Sequence, residues 1–267
     1  MHLEDIRSTL ATGLSLVKLK IEGHITWHFV IVLSSIKFLR LISQILKIGY
    51  IRVNYNDNLK YIFPIDQVCD WYHITTEVTV EDNHFRPRYG QVIVDIGGNI
   101  GLYTMYCAQK VGPKGLVLTT EPDPNNFIYL CANKKINDAN NVFLLNIALA
   151  SYVGKTKLFA ATPTSHSIVK SFALAHGGTG SFIEVNCQTL DKVISDWKLR
   201  RIDLLNLDVE GAAFEIIKGS RNALKAKLIK RIKIEIEDNK EFSLITKFLR
   251  KFSYKVVRRG IFLYALA

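Results

Sequence analysis

Short apolar runs alternate with segments of helical periodicity along the last two thirds of the chain. The runs lie at 91–96, 116–120, 142–147, 202–207 and 231–236, and they are continuous, as in parallel strands buried on both faces. Helical segments are expected at 102–111, 125–136, 190–197, 212–218 and 242–252. Two last runs, at 254–257 and 261–264, predict an antiparallel hairpin around Gly260. The pattern predicts an α/β fold with a doubly wound, mainly parallel sheet that ends in this hairpin.

The first third of the chain has a different pattern. Residues 1–50 have helical character, and residues 51–88 contain short strands at 51–53, 61–64 and 77–80. We therefore predict an N-terminal extension at 1–88 and a main domain at 89–267. Two more strands, at 157–161 and 182–187, are expected inside the main domain, with a loop rich in Ser, Thr, His and Gly between them.

The segment 25–48 is apolar but interrupted by three cations. Its longest run without a charged residue is 25–36, which is shorter than the roughly 20 residues that cross a bilayer. Lys37, Arg40 and Lys47 then recur at roughly helical spacing, which predicts an amphipathic helix. Such a helix packs on the domain or lies on a membrane surface.

Composition permits a sizeable core, because 48% of residues are hydrophobic and 22% are charged. The net charge of +11 is concentrated at the end of the chain, where residues 221–267 carry 13 Lys and Arg against 4 Asp and Glu. A basic face of this kind meets nucleic acid, anionic lipid or a phosphorylated substrate, or is simply a solvated surface.

Four cysteines provide no metal-binding pattern. Cys69, Cys107, Cys131 and Cys187 form no C-x-x-C pair and have no His cluster beside them, so no metal site is expected. Cys107 and Cys131 fall in apolar helical patterns and are expected to be buried. We interpret the chain as cytoplasmic, with peripheral membrane contact through 25–48 as an alternative.

A glycine-rich turn at 94–101, with sequence VDIGGNIG, follows the first predicted strand and opens a helix. Gly97 and Gly98 permit a tight turn and a close approach to a ligand, and Gly101 permits the helix to sit close to the sheet. Asp95 at the strand end would repel the pyrophosphate that a G-x-G-x-x-G turn binds. A carboxylate suits a ligand with an ammonium and a sulfonium, such as S-adenosylmethionine (SAM).

Glu121 ends the second predicted strand and is the second candidate for cofactor binding. A carboxylate at this place accepts two hydrogen bonds from a ribose diol. It is also near the start of the next helix, where Asp123 and Pro124 form a favourable N-terminus. The two roles are compatible.

These segments together resemble the FkbM family of SAM-dependent methyltransferases, from about Gln91 to Gly219. The turn at 94–101 is similar to the family's D-x-G-A-N-x-G, and 121–127 to its E-P-x-x-x-x-F. Further similar segments are 146–149, 189–191, 207–211 and 218–219, in the family's order. The resemblance implies a Rossmann-like class I methyltransferase fold, and it adds Asn99, Pro122 and Ala148 to the expected SAM-binding residues. It also implies O-methylation of sugars or natural products as the commonest chemistry.

Two positions depart from the family pattern. Gly98 replaces an Ala, which a turn tolerates. Asn206 replaces a Lys directly before Leu207 and Asp208, so a cation near the reacting centre is expected to be lost.

Three residues are candidates for the chemistry of transfer to a hydroxyl, which needs a positioned acceptor and a proton acceptor. Asp208 and Glu210 follow the fourth strand, where this fold presents ligands. Asp208 is expected to bind the acceptor or orient the donor, and Glu210 to act as base. His166, in the polar loop, is a third candidate because His titrates near neutral pH.

Three other function classes stay open at this point. An NAD(P)-dependent oxidoreductase shares the architecture, but it requires a G-x-G-x-x-G turn that is absent here. A nucleic-acid methyltransferase fits the basic C-terminal end, but the chain has no N-P-P-Y or D-P-P-Y motif for methylating a flipped base. A non-catalytic binding module on the same fold is consistent with Asn206.

Overall fold

A computed structural model describes residues 50–56, 59–64, 84–161 and 166–267. The described residues from 84 onward belong to one unit of the chain, which also includes 54–61. The predicted helix at 25–48 and the predicted strand at 77–80 lie outside the described residues. The domain boundary after residue 88 stays a prediction. Every helix within the described ranges is too short or too polar to cross a bilayer.

The elements follow the predicted alternation of strands and helices. The described strands are β1 (Tyr50–Asn56), β2 (Leu59–Pro64), β3 (Val92–Ile96), β4 (Leu116–Thr120), β5 (Val142–Leu145), β6 (Ala148–Leu149), β7 (Gly154–Phe159), β8 (Phe182–Gln188), β9 (Leu204–Leu207), β10 (Arg231–Glu235), β11 (Lys255–Arg259) and β12 (Phe262–Leu266). The described helices are α1 (Leu102–Val111), α2 (Pro124–Ile136), α3 (Lys170–Ala175), α4 (Leu190–Asp196), α5 (Ala213–Lys218), α6 (Arg221–Lys225) and α7 (Asn239–Arg250).

Seven strands form the central sheet, in the order β11-β12-β10-β9-β3-β4-β5. The strands from β10 to β5 pair in parallel, and the hairpin β11-β12 adds to β10 in antiparallel orientation. The chain runs from β3 through β4 to β5 in one direction, and then returns to β9 on the other side of β3. The order therefore reverses between β3 and β9, which is the position where ligands bind in doubly wound sheets.

The two faces of the central sheet differ in polarity. On one face, Val94 of β3, Leu205 of β9 and Ile234 of β10 are fully buried in a large apolar core. On the other face, Asp95, Asn206 and Lys233 lie side by side in register across β3, β9 and β10. All three are at most 5% exposed. The sheet thus buries a polar row, which needs internal partners because water cannot reach it.

A second sheet of three strands has the order β6-β8-β7. It contains the two strands predicted at 157–161 and 182–187, so these do not belong to the central sheet. The strand predicted at 142–147 ends at Leu145 as β5, and β6 follows as a separate two-residue strand of the second sheet. The chain between β7 and β8 of this sheet contains His166, so the position of the sheet determines where His166 lies in the fold.

Helix α2 starts where the sequence predicts. Asp123 is its N-cap and accepts hydrogen bonds from the backbone N–H groups of Asn125 and Asn126, and Pro124 is the first helical residue. This cap fixes the chain directly after β4. It therefore fixes the neighbourhood of Glu121.

Two helices and one cysteine differ from the predictions. The short helices α3 and α6 were not predicted, because five or six residues do not establish a periodic pattern. Cys107 is buried as expected, but Cys131 is exposed, and the buried residues of α2 are Asn126, Leu130 and Asn133.

Candidate functional site

A pocket lies at the carboxyl ends of β3, β4 and β9, at the point where the strand order reverses. Most of the predicted site residues line it: Gly97, Asn99, Glu121, Pro122, Ala148, His166, Asp208 and Glu210. The predicted residues that do not line it are Asp95, Gly98 and Gly101, which belong to the same turn. The fold therefore brings candidates from distant parts of the sequence into one cavity.

Gly97 is required by its contact with the strand on the other side of the switch point. Its φ of 85° is in the left-handed region, and a Cβ atom built on it would lie 1.7 Å from the backbone oxygen of Asp208. Asp208 also donates its backbone N–H to the carbonyl of Ile96, at 3.1 Å. The turn after β3 and the turn after β9 are thus held directly against each other.

Gly98 and Gly101 have packing roles instead of lining the pocket. A Cβ atom on Gly98 would lie 2.2 Å from Cγ2 of Thr119, and one on Gly101 would lie 2.5 Å from Cδ1 of Leu130. Gly98 therefore permits contact with β4, and Gly101 permits contact with helix α2. The predicted close approach at Gly101 exists, but its partner is a helix and not the sheet.

Asp95 lies beneath the turn, and both of its carboxylate oxygens are used inside the protein. It accepts a 2.6 Å hydrogen bond from the Thr104 hydroxyl and a 2.9 Å hydrogen bond from the Asn206 amide. Burial raises the pKa of Asp95, and the two hydrogen bonds and the charge of Lys233 act in the opposite direction. Contact between Asp95 and a cofactor stays a prediction.

Asn206 replaces the lysine of the family pattern, but the next strand of the sheet carries a lysine beside this position. Lys233 of β10 is 3% exposed and in register with Asn206. Its ammonium lies 4.8 Å from the ring centre of Tyr103 and 4.6 Å from that of Phe262. A buried positive charge is therefore present in the same row, one strand further from Asp95.

Glu121 lines the pocket, and the residue is only 5% exposed. Its oxygens accept hydrogen bonds from the backbone N–H groups of Asn99, at 2.8 Å, and Asp123, at 2.9 Å. Burial raises the pKa of Glu121 to about 7, although both hydrogen bonds lower it. The glycine turn after β3 and the chain after β4 are joined through this one side chain.

His166 is paired with an acid on the β4 side of the pocket. Its Nδ1 atom lies 3.2 Å from Oδ2 of Asp123. Nδ1 has no aligned hydrogen-bond partner among the described residues, so the contact acts as an ion pair when the ring is protonated. Contact with Asp123 raises the pKa of His166 and lowers that of Asp123.

Asp208 and Glu210 are half-buried and line the pocket from the turn after β9. Glu210 has a φ of 52°, a left-handed conformation that residues other than glycine rarely adopt, and Gly211 follows with a φ of 80°. Strained backbone of this kind is frequent at functional sites. The turn therefore aims an acid at the cavity at some conformational cost.

Besides Nδ1 of His166, two polar atoms in the pocket lack a described hydrogen-bond partner, namely Oγ1 of Thr120 and Oδ1 of Asn99. Buried polar atoms normally have partners, so these two are candidates to contact a ligand. The sequence did not reveal Thr120, because it ends an apolar strand and nothing in that pattern says which face meets the pocket. Asn126 of α2 also lines the cavity and was not predicted as a site residue.

Comparison with known proteins identifies the class to which this fold and pocket belong. The central sheet is a Rossmann-like, doubly wound sheet with a terminal antiparallel hairpin. The model of the methyltransferase FkbM domain matches residues 95–256, which is more than half of the chain. The chain belongs to the FkbM methyltransferase family. The match extends beyond the segment that the sequence motifs covered, to the start of the hairpin.

Two curated relatives and one solved structure illustrate the similarity. Methyltransferase sdnD of Sordaria araneosa is 32% identical over 48% of this chain and 59% of its own length. The hexuronic acid methyltransferase AglP of Haloferax volcanii is 26% identical over 59% of this chain and 61% of its own length. The chain thus spans about six tenths of these relatives. The FkbM methyltransferase of Methylobacillus flagellatus KT has a TM-score of 0.49 at 13% identity, over 76% of this chain and 60% of its own.

Proposed function

We propose that this protein transfers a methyl group from SAM to a hydroxyl of a sugar, a glycan or a small metabolite. One observation carries the proposal: acids from two sides of the switch point share a pocket. Glu121 follows β4, Asp208 and Glu210 follow β9, and the glycine turn lies between them. The first acid suits a ribose and the other two suit an acceptor.

The residues of the pocket fit SAM better than a dinucleotide. Glu121 offers carboxylate oxygens to a ribose diol, and the unpartnered Thr120 and Asn99 oxygens suit polar hydrogens of a ligand. A pyrophosphate would meet the acidic side chains of Glu121 and Asp208 without a described cation lining the cavity to offset them, unless His166 is protonated. A sulfonium ligand without phosphate avoids that repulsion.

Methyl transfer needs little covalent chemistry from the protein. When bound, SAM supplies a methyl group on a sulfonium sulfur, which leaves as a neutral thioether. Asp208 holds the acceptor hydroxyl, and Glu210 takes its proton as the new O–C bond forms. A positioned base of this kind contributes roughly 10²–10⁴-fold to the rate.

His166 forms part of the pocket wall, and we assign the role of base to Glu210 and not to His166. Its Nδ1 atom lies 3.2 Å from the Asp123 carboxylate, so this ring nitrogen faces an acid of the protein, and the contact raises the pKa of His166. Asp123 also caps helix α2 directly after Glu121. We therefore assign His166 the role of stabilising, through Asp123, the chain segment after β4 that carries Glu121.

The acceptor class has support from one relative. AglP is named a hexuronic acid methyltransferase, and it matches 59% of this chain. A sugar acceptor is consistent with a pocket whose acids bind hydroxyl groups, because carboxylates accept hydrogen bonds from them. We therefore place sugars first among the acceptors to test, and hexuronic acids belong in the panel because of this relative.

The test is transfer of labelled methyl from SAM to a panel of acceptors. The panel contains hexuronic acids, neutral sugars, small phenols and RNA. We expect label in a saccharide or small-molecule acceptor with the wild-type protein. Glu210→Gln and Asp208→Asn are expected to lose at least about 100-fold in kcat, whereas the exposed Glu184→Gln, whose parent residue pairs with Lys155 on the second sheet, leaves kcat unchanged.

Two results would overturn the proposal. Label in RNA alone, with steep dependence on salt concentration, would establish the nucleic-acid alternative. Binding of NADH in place of SAM would establish the oxidoreductase alternative. Full activity of Glu210→Gln would remove the assigned base while leaving methyl transfer itself intact.

A further inference from the structure

The turn that carries Glu210 is held in a conformation that needs external support. Glu210 and Gly211 are consecutive residues with φ angles of 52° and 80°. Glycine adopts this region freely, but a glutamate does not. Without contacts from elsewhere in the fold, the direction of the Glu210 carboxyl group would vary as the turn relaxes.

Ser167 supplies one such contact. Its hydroxyl donates a 2.6 Å hydrogen bond to the backbone carbonyl of Glu210, and it accepts a 3.0 Å hydrogen bond from the backbone N–H of Val169. The residue is 1% exposed, so water does not compete for the bond. The contact joins residues that are 43 positions apart in sequence.

Ser167 is itself fixed to the second sheet. Its carbonyl accepts a 2.8 Å hydrogen bond from the N–H of Phe159, and its own N–H donates a 3.1 Å hydrogen bond to the carbonyl of Phe159. Phe159 ends β7. The Ser167 hydroxyl is therefore presented by a loop residue whose backbone is hydrogen-bonded on both sides to the end of a strand.

A second contact from the same segment covers the next residue of the turn. A Cβ atom on Gly211 would lie 2.9 Å from Cδ2 of Phe172, so the Phe172 ring of helix α3 packs directly on it. The segment from Ser167 to Phe172 thus contacts both left-handed residues: Ser167 hydrogen-bonds to Glu210, and the Phe172 ring packs on Gly211.

We propose that Ser167 is a positioning residue that fixes the direction of the Glu210 carboxylate during methyl transfer. Ser167 does not line the pocket, whereas its neighbours His166 and Ile168 do. It therefore acts through Glu210 and touches neither cofactor nor acceptor. The inference rests on the proposed function, because it needs Glu210 to take the acceptor proton.

The expected effect is on the chemical step and not on cofactor binding. Ser167→Ala leaves the Glu210 carbonyl without this donor and releases the turn. We expect kcat to fall about tenfold or more, since small misplacements of reacting groups are costly, with the KM for SAM unchanged. The pH profile of kcat should also shift, because the altered group is the base.

Ser220 offers a matched control. It is fully buried, and its hydroxyl donates a 2.8 Å hydrogen bond to the carbonyl of Ile217 in the turn between α5 and α6. Ser220→Ala removes the same kind of bond at a place away from the pocket. It should lower the melting temperature without changing kcat or its pH profile.

Steady-state kinetics of Ser167→Ala, Ser167→Thr and Ser220→Ala test the proposal, with Glu210→Gln assayed in parallel. We expect Ser167→Thr to restore most of kcat because it keeps the hydroxyl. If Ser167→Ala does not fold, Ser167→Cys replaces it, and the weaker thiol donor should give the same loss of kcat.

Wild-type kcat in a folded Ser167→Ala or Ser167→Cys protein, together with an inactive Glu210→Gln protein, would overturn the positioning role alone. An active Glu210→Gln protein would instead overturn the assigned base. The two failures are therefore distinguishable.

Discussion

The Asn206 amide donates a 2.9 Å hydrogen bond to the Asp95 carboxylate, across the parallel pair β9 and β3. The two strands flank the switch point, and the two residues lie 111 positions apart in sequence. Because Asp95 is 1% exposed, its charge depends on this donor, on Thr104 and on Lys233.

Replacing Asn206 by Leu should therefore destabilise the protein. The change leaves one oxygen of a buried carboxylate without a donor, which costs about 1–3 kcal/mol in the free energy of unfolding. Urea denaturation followed by circular dichroism measures the loss. Asn140→Leu, at an exposed position, is the control and should change stability little. Equal stability of the two variants would show that Asn206 does not support Asp95.

Gly97→Ala should be more damaging than its position in a turn implies. The new Cβ atom would collide with the backbone of Asp208, and φ at this residue is 85°. We expect a loss of more than about 3 kcal/mol in the free energy of unfolding. Gly260→Ala has a φ of 59° and open space around it, so it should cost only about 1–2 kcal/mol. Similar losses in both variants would contradict the close contact between the two turns.

Cofactor affinity should depend on the ionisation of Glu121. Its pKa is raised to about 7, so the group is largely protonated below pH 6 and ionised above pH 8. A ribose diol donates hydrogen bonds and therefore binds the ionised form better. SAM affinity should rise as pH increases through 7 and fall as pH decreases, by up to about tenfold per pH unit below the pKa.

Calorimetric titration between pH 6 and pH 8 measures this dependence. Glu121→Gln cannot ionise, so its weaker affinity should vary less with pH than that of the wild-type protein. A wild-type affinity that stays constant across this range would contradict the assignment of Glu121 to the ribose.

The ion pair between His166 and Asp123 should stabilise the protein over a limited pH window. The pKa of His166 is raised above its ordinary value of 6.5, so its contribution is complete below that value and is lost as pH rises through the folded-state pKa. The pKa of Asp123 is lowered from 3.8, so its contribution is present above that value and is lost as pH falls further. The window lies between these limits.

His166→Asn should therefore cost more stability at pH 6 than at pH 9, by about 1 kcal/mol. Thermal unfolding at the two values measures the difference. His176, which is exposed, provides the matched His→Asn control. An equal loss for His166→Asn at both values would mean that the pair contributes no charge interaction.

The parallel sheet was predictable because its strands are continuous apolar runs with clear ends. The run at 91–96 is followed by the glycine turn and the run at 202–207 by Asp208. The two strands pair with each other at the switch point. The pocket residues were predictable for a related reason. A doubly wound sheet presents the ends of its strands at one edge, so Glu121 and Asp208 had to lie near each other.

The partners of Asp95 were not predictable. Its hydrogen bond to Asn206 depends on the register of two strands, and single-sequence patterns do not specify register between distant strands. The hydrogen bond from Ser167 to Glu210 was not predictable for a similar reason, because it joins two loops that are distant in sequence. Side-chain partners across the fold are the part that required a structure.

Titration of SAM into the protein by calorimetry tests the central claim most directly, since the claim is that this pocket binds SAM. We expect saturable one-to-one binding to the wild-type protein, no binding of NADH, and affinity at least about tenfold weaker in Glu121→Ala, where the carboxylate is gone. Asp95→Ala should also weaken binding. Absence of SAM binding, or an affinity unchanged in both variants, would contradict the account.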